Sequence, residues 1–259
     1  MGRYDQPLRR PAVVAGASSG IGAATAKALA AADFPVALGA RRVERCEELA
    51  AAIRAAGGEA VAHPLDVASD ASVAEFAAKA AADLGDVEVV VSNAALIGPG
   101  ALLDTDSERL AREIDVNLLG PHRLVRAFVP AMVERTRGDI VFVSSDVALR
   151  ARPLMGGYSA TKSGLEGLVA SLQMELEGTG VRASVVRPGP TWSEMGMDWE
   201  PAAAARVLDE WVKWGQARHS HFLKATAIAD AITTVVSAPR GVHLSPVDVN
   251  PEAPVQESQ

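Results

Sequence analysis

The chain has 259 residues, 49% apolar and 22% charged, with 22 glycines, 15 prolines and one cysteine. Such a chain makes one or at most two globular domains with a substantial core, which excludes global disorder and an internal disulfide framework. A net charge of −7 argues against a nucleic-acid surface, residues 1–7 lack the apolar run of a secretory signal, and no stretch reaches the ~18 apolar residues of a membrane span, so a cytoplasmic protein is expected.

Along the chain, short β-branched runs alternate with helical stretches. Residues 13–14 predict a strand that leads through a Gly/Ser turn into an Ala-rich helix over 21–32. A second strand over 36–38 precedes a charged helix over 43–55, stopped by Gly57 and Gly58. A third strand over 60–62 is followed by a helix over 70–84. A fourth over 87–91 is followed by a long helix over 107–135, which Pro130 is expected to bend or end. A fifth strand over 139–143, a helix over 157–176 and a sixth strand over 181–186 come next. After a less regular stretch with a helix over 201–216, residues 225–237 read as a helix and 242–249 as a last strand. Strands alternating with helices of this length imply βαβ units, and their near-continuous apolar character implies a sheet buried on both faces. The expected architecture is α/β: one doubly wound domain over 1–250 around a mostly parallel seven-stranded sheet, then a polar tail over 251–259.

Residues 16–22 read Gly-Ala-Ser-Ser-Gly-Ile-Gly between the first strand and the first helix. Glycines there let the backbone approach a pyrophosphate, whose charge meets the free N–H groups of a helix N-terminus, and Ser18 and Ser19 add hydroxyl donors. A plain flexible turn is the alternative, and the strand–turn–helix context favours the phosphate cradle. At the end of the second strand, an acidic residue would bind a ribose 2′-hydroxyl, whereas arginine accommodates a 2′-phosphate. The chain has Arg41 and Arg42 there and no carboxylate before Glu44, which selects NADP(H) over NAD. Cations at a helix start oppose the macrodipole, so stability alone does not account for them. Asp66, at the end of the third strand, serves either to reach an adenine amino group or as a turn residue. Asn93, Ala94 and Ala95 end the fourth strand, at the carboxyl edge where open α/β sheets bind ligands.

Tyr158 and Lys162 stand four apart, hence on one helical face. An ammonium ~4–5 Å from the phenol oxygen stabilises phenolate by about 3–4 kcal/mol, so Lys162 is expected to bring the phenol's pKa down toward neutrality, where general acid/base catalysis works best. Ser145, at the end of the fifth strand, lies 13 residues before Tyr158 and is placed to donate to a carbonyl oxygen as negative charge develops. Asn117 lies inside the long predicted helix, where asparagine is a poor fit, so its side chain is either satisfied locally or holds water in a site.

Together these residues resemble the short-chain dehydrogenase/reductase family, in order and spacing, over the chain to about Pro251: Gly16-x-x-x-Gly20-x-Gly22, Asn93-Ala94-Ala95, Asn117, Ser145, Tyr158-x-x-x-Lys162 and Pro188-Gly189. The resemblance implies a Rossmann-type fold and an NADP(H)-dependent oxidoreductase acting on a carbonyl or secondary alcohol. Tyr158 would be the acid/base and Ser145 would polarise the carbonyl. Lys162 would bind the nicotinamide ribose, and Asn117 would hold a water linking Lys162 to solvent. Gly16, Ser18, Ser19, Gly20, Ile21 and Gly22 would cradle the phosphates, Asp66 and Val67 would bracket adenine, and Pro188, Gly189 and Thr191 would flank the nicotinamide. A homotetramer or homodimer through the helices carrying Asn117 and Tyr158 would follow. Two departures stand out: Ser92-Asn93-Ala94-Ala95 replaces Asn-Asn-Ala-Gly, and Pro190-Thr191-Trp192-Ser193 leaves open whether Thr191 or Ser193 meets the carboxamide. A Cβ at Ala95 requires a negative φ.

All four tryptophans (Trp192, Trp199, Trp211, Trp214), with Met195 and Met197, fall in the segment over 190–220 that closes over substrate in this family. A bulky apolar substrate is expected, with ordinary packing of the 201–216 helix as the equal alternative for Trp211 and Trp214. Leu149, Leu154 and Met155 would form another wall, while Arg150 and Arg152 meet either an anionic group or water. Cys46 reads as core filler, and His219 with His221 as surface residues without metal-site spacing. A catalytically silent NADP-sensing protein of the same fold is the rival reading, and a lyase or epimerase using bound NAD is the more distant one.

Overall fold

Seven of the apolar runs join one parallel sheet in the computed structural model of the protein, which describes residues 9–196, 199–217, 219 and 221–254. In chain order the strands are β1 (Ala12–Ala15), β2 (Val36–Ala40), β3 (Ala60–Pro64), β4 (Val89–Ser92), β5 (Gly138–Val143), β6 (Val181–Pro188), β7 (Thr191–Trp192), β8 (Leu223–Lys224) and β9 (Val247–Val249). The sheet order is β3-β2-β1-β4-β5-β6-β9, every pairing parallel, and β7 and β8 form a separate two-stranded ribbon. The direction of winding reverses between β1 and β4, which opens a crevice at the carboxyl ends of the strands.

Strand periodicity divides the core into two layers. Val13 and Ala15 face Phe76 of helix α3 (Asp70–Leu84), Phe128 of α5 (Gly120–Glu134) and Leu165 of α6 (Gly156–Glu175). Ala12 and Val14 face Leu29 of α1 (Gly20–Ala31), Ile53 of α2 (Val43–Ala55) and Ile232 of α8 (Ala225–Ser237). Cys46 fills the second layer, and burial pushes its thiol up to about 11. Two further helices, α4 (Ser107–Ile114) and α7 (Pro201–Lys213), lie above the carboxyl edge and in the segment after β7. Among the described residues no helix is long and apolar enough to cross a membrane.

Three expectations are refined. The long helix over 107–135 is present without interruption from Ser107 to Glu134, but α4 widens into a π-helical stretch, Asp115–Leu119, before α5. Pro130 does not end α5, which continues to Glu134 although proline has no N–H to give. The last strand is confined to Val247–Val249, because Pro246 cannot donate to the ladder and His243 instead bonds the Ala183 carbonyl through its ring.

At the amino end of the sheet lies a buried ion cluster that periodicity does not reveal. Asp139 opens β5 opposite Arg182 of β6 and accepts from its Nε at 2.6 Å and from Nη2 at 3.1 Å. Arg10, itself 5% exposed, donates to the other side of the same carboxylate and lies 3.6 Å from Glu88.

Candidate active site

The Gly/Ser turn after β1 folds as a cradle. Gly16 has φ +81°, a left-handed conformation suited to glycine, and a Cβ on it would stand 2.7 Å from Ala94 Cα. A Cβ on Gly22 would run into the Gly16 carbonyl oxygen, so the first turn of α1 is pressed against the strand. Asn93 secures the arrangement by donating from Nδ2 to that carbonyl at 3.0 Å. Ser19, at the N-cap of α1, makes no side-chain capping bond, and no acidic residue stands in the first turn. The helix therefore presents its N-terminal amides uncapped, and the cradle fits a pyrophosphate.

Of the two sequence-predicted arginines, Arg42 is the one aimed at the cradle: its Nη2 donates to Ser18 Oγ at 3.1 Å and to Ser19 Oγ at 3.0 Å. Arg41 is exposed and has no side-chain partner among the described residues. Asp66 is taken up locally. Its Oδ1 accepts the Ala68 N–H and its own N–H donates to Ser72 Oγ, a turn that leads into α3. Val67 packs on Gly120. Ala95 is not among the residues with positive φ, so its Cβ is accommodated. Ile21 packs on the second core layer, and Pro188 and Gly189 close β6, where Gly189 N–H bonds the Val249 carbonyl. Thr191 Oγ1 donates to the Gly189 carbonyl, whereas Ser193 lies against Gly20.

Ser145, Tyr158 and Lys162 converge where β5 ends against α6. All three are buried; Ser145 Oγ donates to Asp146 Oδ1 at 3.2 Å and accepts the Val147 N–H at 3.4 Å, on the side of α6 that carries Tyr158. Lys162 Nζ donates to the Val143 carbonyl at 2.7 Å and lies 5.6 Å from the Tyr158 ring centroid. This geometry corrects the expectation of an acidified phenol. Burial pushes the Tyr158 phenol well above its ordinary value; the Ser145 hydroxyl and Arg152 pull it down, and the carboxylates of Asp146 and Glu113 push it up. Burial also pulls the Lys162 ammonium down to about 8, against an opposing pull from Glu166. The lysine is tied to a backbone carbonyl, and desolvation of the enclosed ring is the largest influence on the phenol.

Asn117 resolves in favour of local satisfaction. It is fully buried in the π stretch, accepting the Leu96 N–H at Oδ1 and donating to the Leu96 carbonyl from Nδ2, both at 2.7 Å. Nδ2 also reaches Thr161 Oγ1 at 3.1 Å, and Thr161 in turn donates to the Tyr158 carbonyl. The amide thus locks the loop after β4 onto the turn of α6 between Tyr158 and Lys162, and makes no hydrogen bond to Lys162 itself. A widened helical turn at a functional site is a common use of π geometry.

Two carboxyl groups of the site carry no motif. Asp146 follows Ser145, accepts a bond from Arg152, and is pushed up by burial. Arg152 is buried and stacks over Trp211 at 4.4 Å, which decides between ion pair and solvent for this arginine. Glu113 is 3% exposed, accepts the Gly98 N–H at 3.1 Å, and turns its other oxygen toward Gly157; burial pushes it up as well. Glu113 was invisible in sequence because its neighbours Gly98 and Gly157 come from other segments, and Asp146 because the fold that buries it is not legible in its local partners. On the wall beside Tyr158 stand Ile97, Val147, Met155 and Trp211, while Leu149 and Trp214 are exposed. Trp192 stacks on Phe222, and Met197 lies outside the described residues.

A family model described as short chain dehydrogenase matches residues 10–204. Among curated relatives, a short chain dehydrogenase of Pseudocercospora fijiensis is 34% identical over 235 residues, 89% of this chain and 76% of that one. The glycine betaine reductase of Emericella nidulans is 33% identical over 241 residues, 93% of this chain, which spans only 18% of that protein's length. Among solved structures, the alcohol dehydrogenase of the archaeon Thermococcus sibiricus complexed with 5-hydroxy-NADP has a TM-score of 0.81 and 34% identity, covering 93% of this chain and 96% of that one. A short chain dehydrogenase/reductase of Burkholderia phymatum in complex with NAD has a TM-score of 0.80 and 25% identity, covering 96% and 90%.

Proposed function

The chain belongs to the short-chain dehydrogenase family of oxidoreductases, and on that footing we propose that it is an NADP(H)-dependent enzyme interconverting a bulky apolar carbonyl compound and its secondary alcohol, with Tyr158 as general acid/base. The observation that carries this reading is the buried cluster of Ser145, Tyr158 and Lys162, at the carboxyl edge that also bears the glycine cradle. The bound dinucleotide supplies the hydride, or accepts it in the reverse direction. Ser145 donates to the substrate oxygen, and Tyr158 delivers its proton there as charge develops. The Lys162 ammonium stabilises the phenolate left behind. Asn117 keeps Tyr158 in register through Thr161. With Ser193 lying at Gly20, Thr191 is the residue left to meet the carboxamide.

The apolar wall of Ile97, Val147, Met155 and Trp211 supports a bulky substrate, with residues 190–220 as the lid. An apolar groove along α5 and α6, lined by Val125, Val129, Val133, Leu172 and Leu176, supports a homodimer or homotetramer. Steady-state oxidation of NADPH against aldehydes, cyclic ketones, steroids and acyl thioesters tests the function. Turnover with large apolar carbonyls is expected; tight NADPH binding without turnover across the panel would leave a binding protein instead.

Arg42 is the side chain that supports NADP(H) over NAD(H). A charge-assisted hydrogen bond is worth about 1.5–3 kcal/mol, so Arg42→Ser is expected to weaken NADPH about 10–100-fold while sparing NADH. Arg41→Asp is expected to shift preference the same way by less, because Arg41 lies outside the serine cluster. Equal losses for the two cofactors in a binding titration would remove Arg42 from the 2′-phosphate.

Carbonyl reduction requires a protonated phenol and a charged ammonium. Burial keeps the phenol protonated through neutrality, whereas the ammonium loses its proton as pH rises through about 8. The rate of reduction is therefore expected to be level on the acid side of that value and to fall above it. A rate that keeps rising into the alkaline range would rule out dependence on the Lys162 charge.

A further inference from the structure

On the cradle side of α2, two arginines converge on a carboxylate from the segment after β7. Glu194 lies within 3.0 Å of Arg42 Nη1, and its two oxygens accept from Arg45 Nη1 at 2.7 and 2.8 Å. Arg42 simultaneously reaches Ser18 and Ser19 of the cradle with its other nitrogen. Among the described residues, Glu194 is the one carboxylate paired with either arginine. These are not local helix pairs, since about 150 residues separate Glu194 from its partners. Its neighbour Ser193 lies on the cradle itself: a Cβ on Gly20 would stand 3.1 Å from Ser193 Cβ.

Resting on the NADP(H) reading above, we propose that Glu194 is a built-in competitor for the cofactor's 2′-phosphate and that Arg45 is a second arm of that phosphate site. Two guanidinium groups on one anionic side chain, with the Ser18 and Ser19 hydroxyls held against the same Arg42, make a donor set matched to a phosphate dianion. Glu194 takes the part of that anion in this arrangement. The arginines hold its carboxyl below the usual carboxylate range, so it stays charged at neutral pH.

The competition is biased toward the phosphate. All three side chains of the Arg42–Glu194–Arg45 cluster are close to half exposed, and solvated ion pairs of this kind contribute little. A phosphate brings more charge and more acceptor oxygens to the same donors. Its arrival displaces Glu194 and lifts the stretch around Ser193 off the glycine turn, whereas a cofactor with a free 2′-hydroxyl leaves the clasp closed. Glu194 thereby couples the identity of the dinucleotide to the position of Ser193 on the glycine turn.

The test is a calorimetric titration of the full chain with 2′,5′-ADP and 5′-AMP, repeated with NADPH and NADH, for wild type, Glu194→Gln, Arg45→Ala and the double variant. Glu194→Gln is expected to tighten 2′,5′-ADP and NADPH about three- to ten-fold and to leave 5′-AMP and NADH unchanged. Arg45→Ala is expected to weaken 2′,5′-ADP, and Glu194→Gln is expected to gain less in its background, because the two side chains share one interaction. If wild type prefers 2′,5′-ADP over 5′-AMP but Glu194→Gln leaves that ligand unchanged or weaker, the competition is refuted and the NADP(H) reading stands. If wild type binds the two nucleotides equally, both fall. An undiminished gain in the Arg45→Ala background would refute the role of Arg45.

Discussion

Replacing Tyr158 by phenylalanine is expected to lower kcat for carbonyl reduction by about 10²–10⁴-fold, the usual contribution of a positioned general acid. The ring is 7% exposed and packs with Val147 and Met155, so phenylalanine fills nearly the same volume and the fold is preserved. Only the hydroxyl is lost. NADPH is expected to bind with a near wild-type Kd, since Arg42 and the glycine cradle are untouched. The combination to look for is a collapsed kcat with retained cofactor affinity and melting temperature. A near-normal rate would show that the proton comes from elsewhere, and the Ser145–Tyr158 pair would be structural.

The second large effect concerns stability. Asp139→Ala is expected to lower the free energy of unfolding by about 3–5 kcal/mol, read by urea titration, because it removes the carboxylate that two guanidinium groups share, leaving Arg10 only the more distant Glu88 as counter-charge and Arg182 only backbone carbonyls. Arg10 and Arg182 both bond the Asp139 carboxylate, and Arg10 is too deeply buried to regain water without rearrangement. The exposed pair between Arg9 and Glu59 is the internal comparison: Glu59→Ala is expected to cost at most about 1 kcal/mol. Asp139 lies at the amino end of β5, the opposite end from Ser145. The variant should therefore lose melting temperature while keeping its KM for NADPH. Equal losses at Asp139 and Glu59 would mean that the buried cluster does not act as a stabilising network.

How far the site was legible differs from residue to residue. Asn117 was visible only as a misfit in a helical pattern, since a side chain bonding the backbone of Leu96 depends on a loop 21 residues away. The widened turn around it follows the same rule: local propensity predicted one helix over 107–135, and the π turn within it accompanies a tertiary contact. Pro130 shows propensity overridden, because α5 is packed on the sheet through Phe128 and Met132 on either side of it. Asp66 kept its plainer alternative, a turn residue, because its carboxyl bonds two residues along its own chain.

Residue order alone was enough for the alternation of buried strands and helices, the glycine turn and the Tyr158–Lys162 face. Each follows from the geometry of a few consecutive residues: period two in a strand, one turn in a helix, absent Cβ atoms in a tight bend. It took the folded chain to show which of two adjacent arginines faces Ser18 and Ser19, what enclosure does to the Tyr158 phenol, and which carboxylates gather beside it. Those properties arise between residues far apart in the chain, through desolvation and charges a few ångströms away, and neither composition nor spacing carries that information.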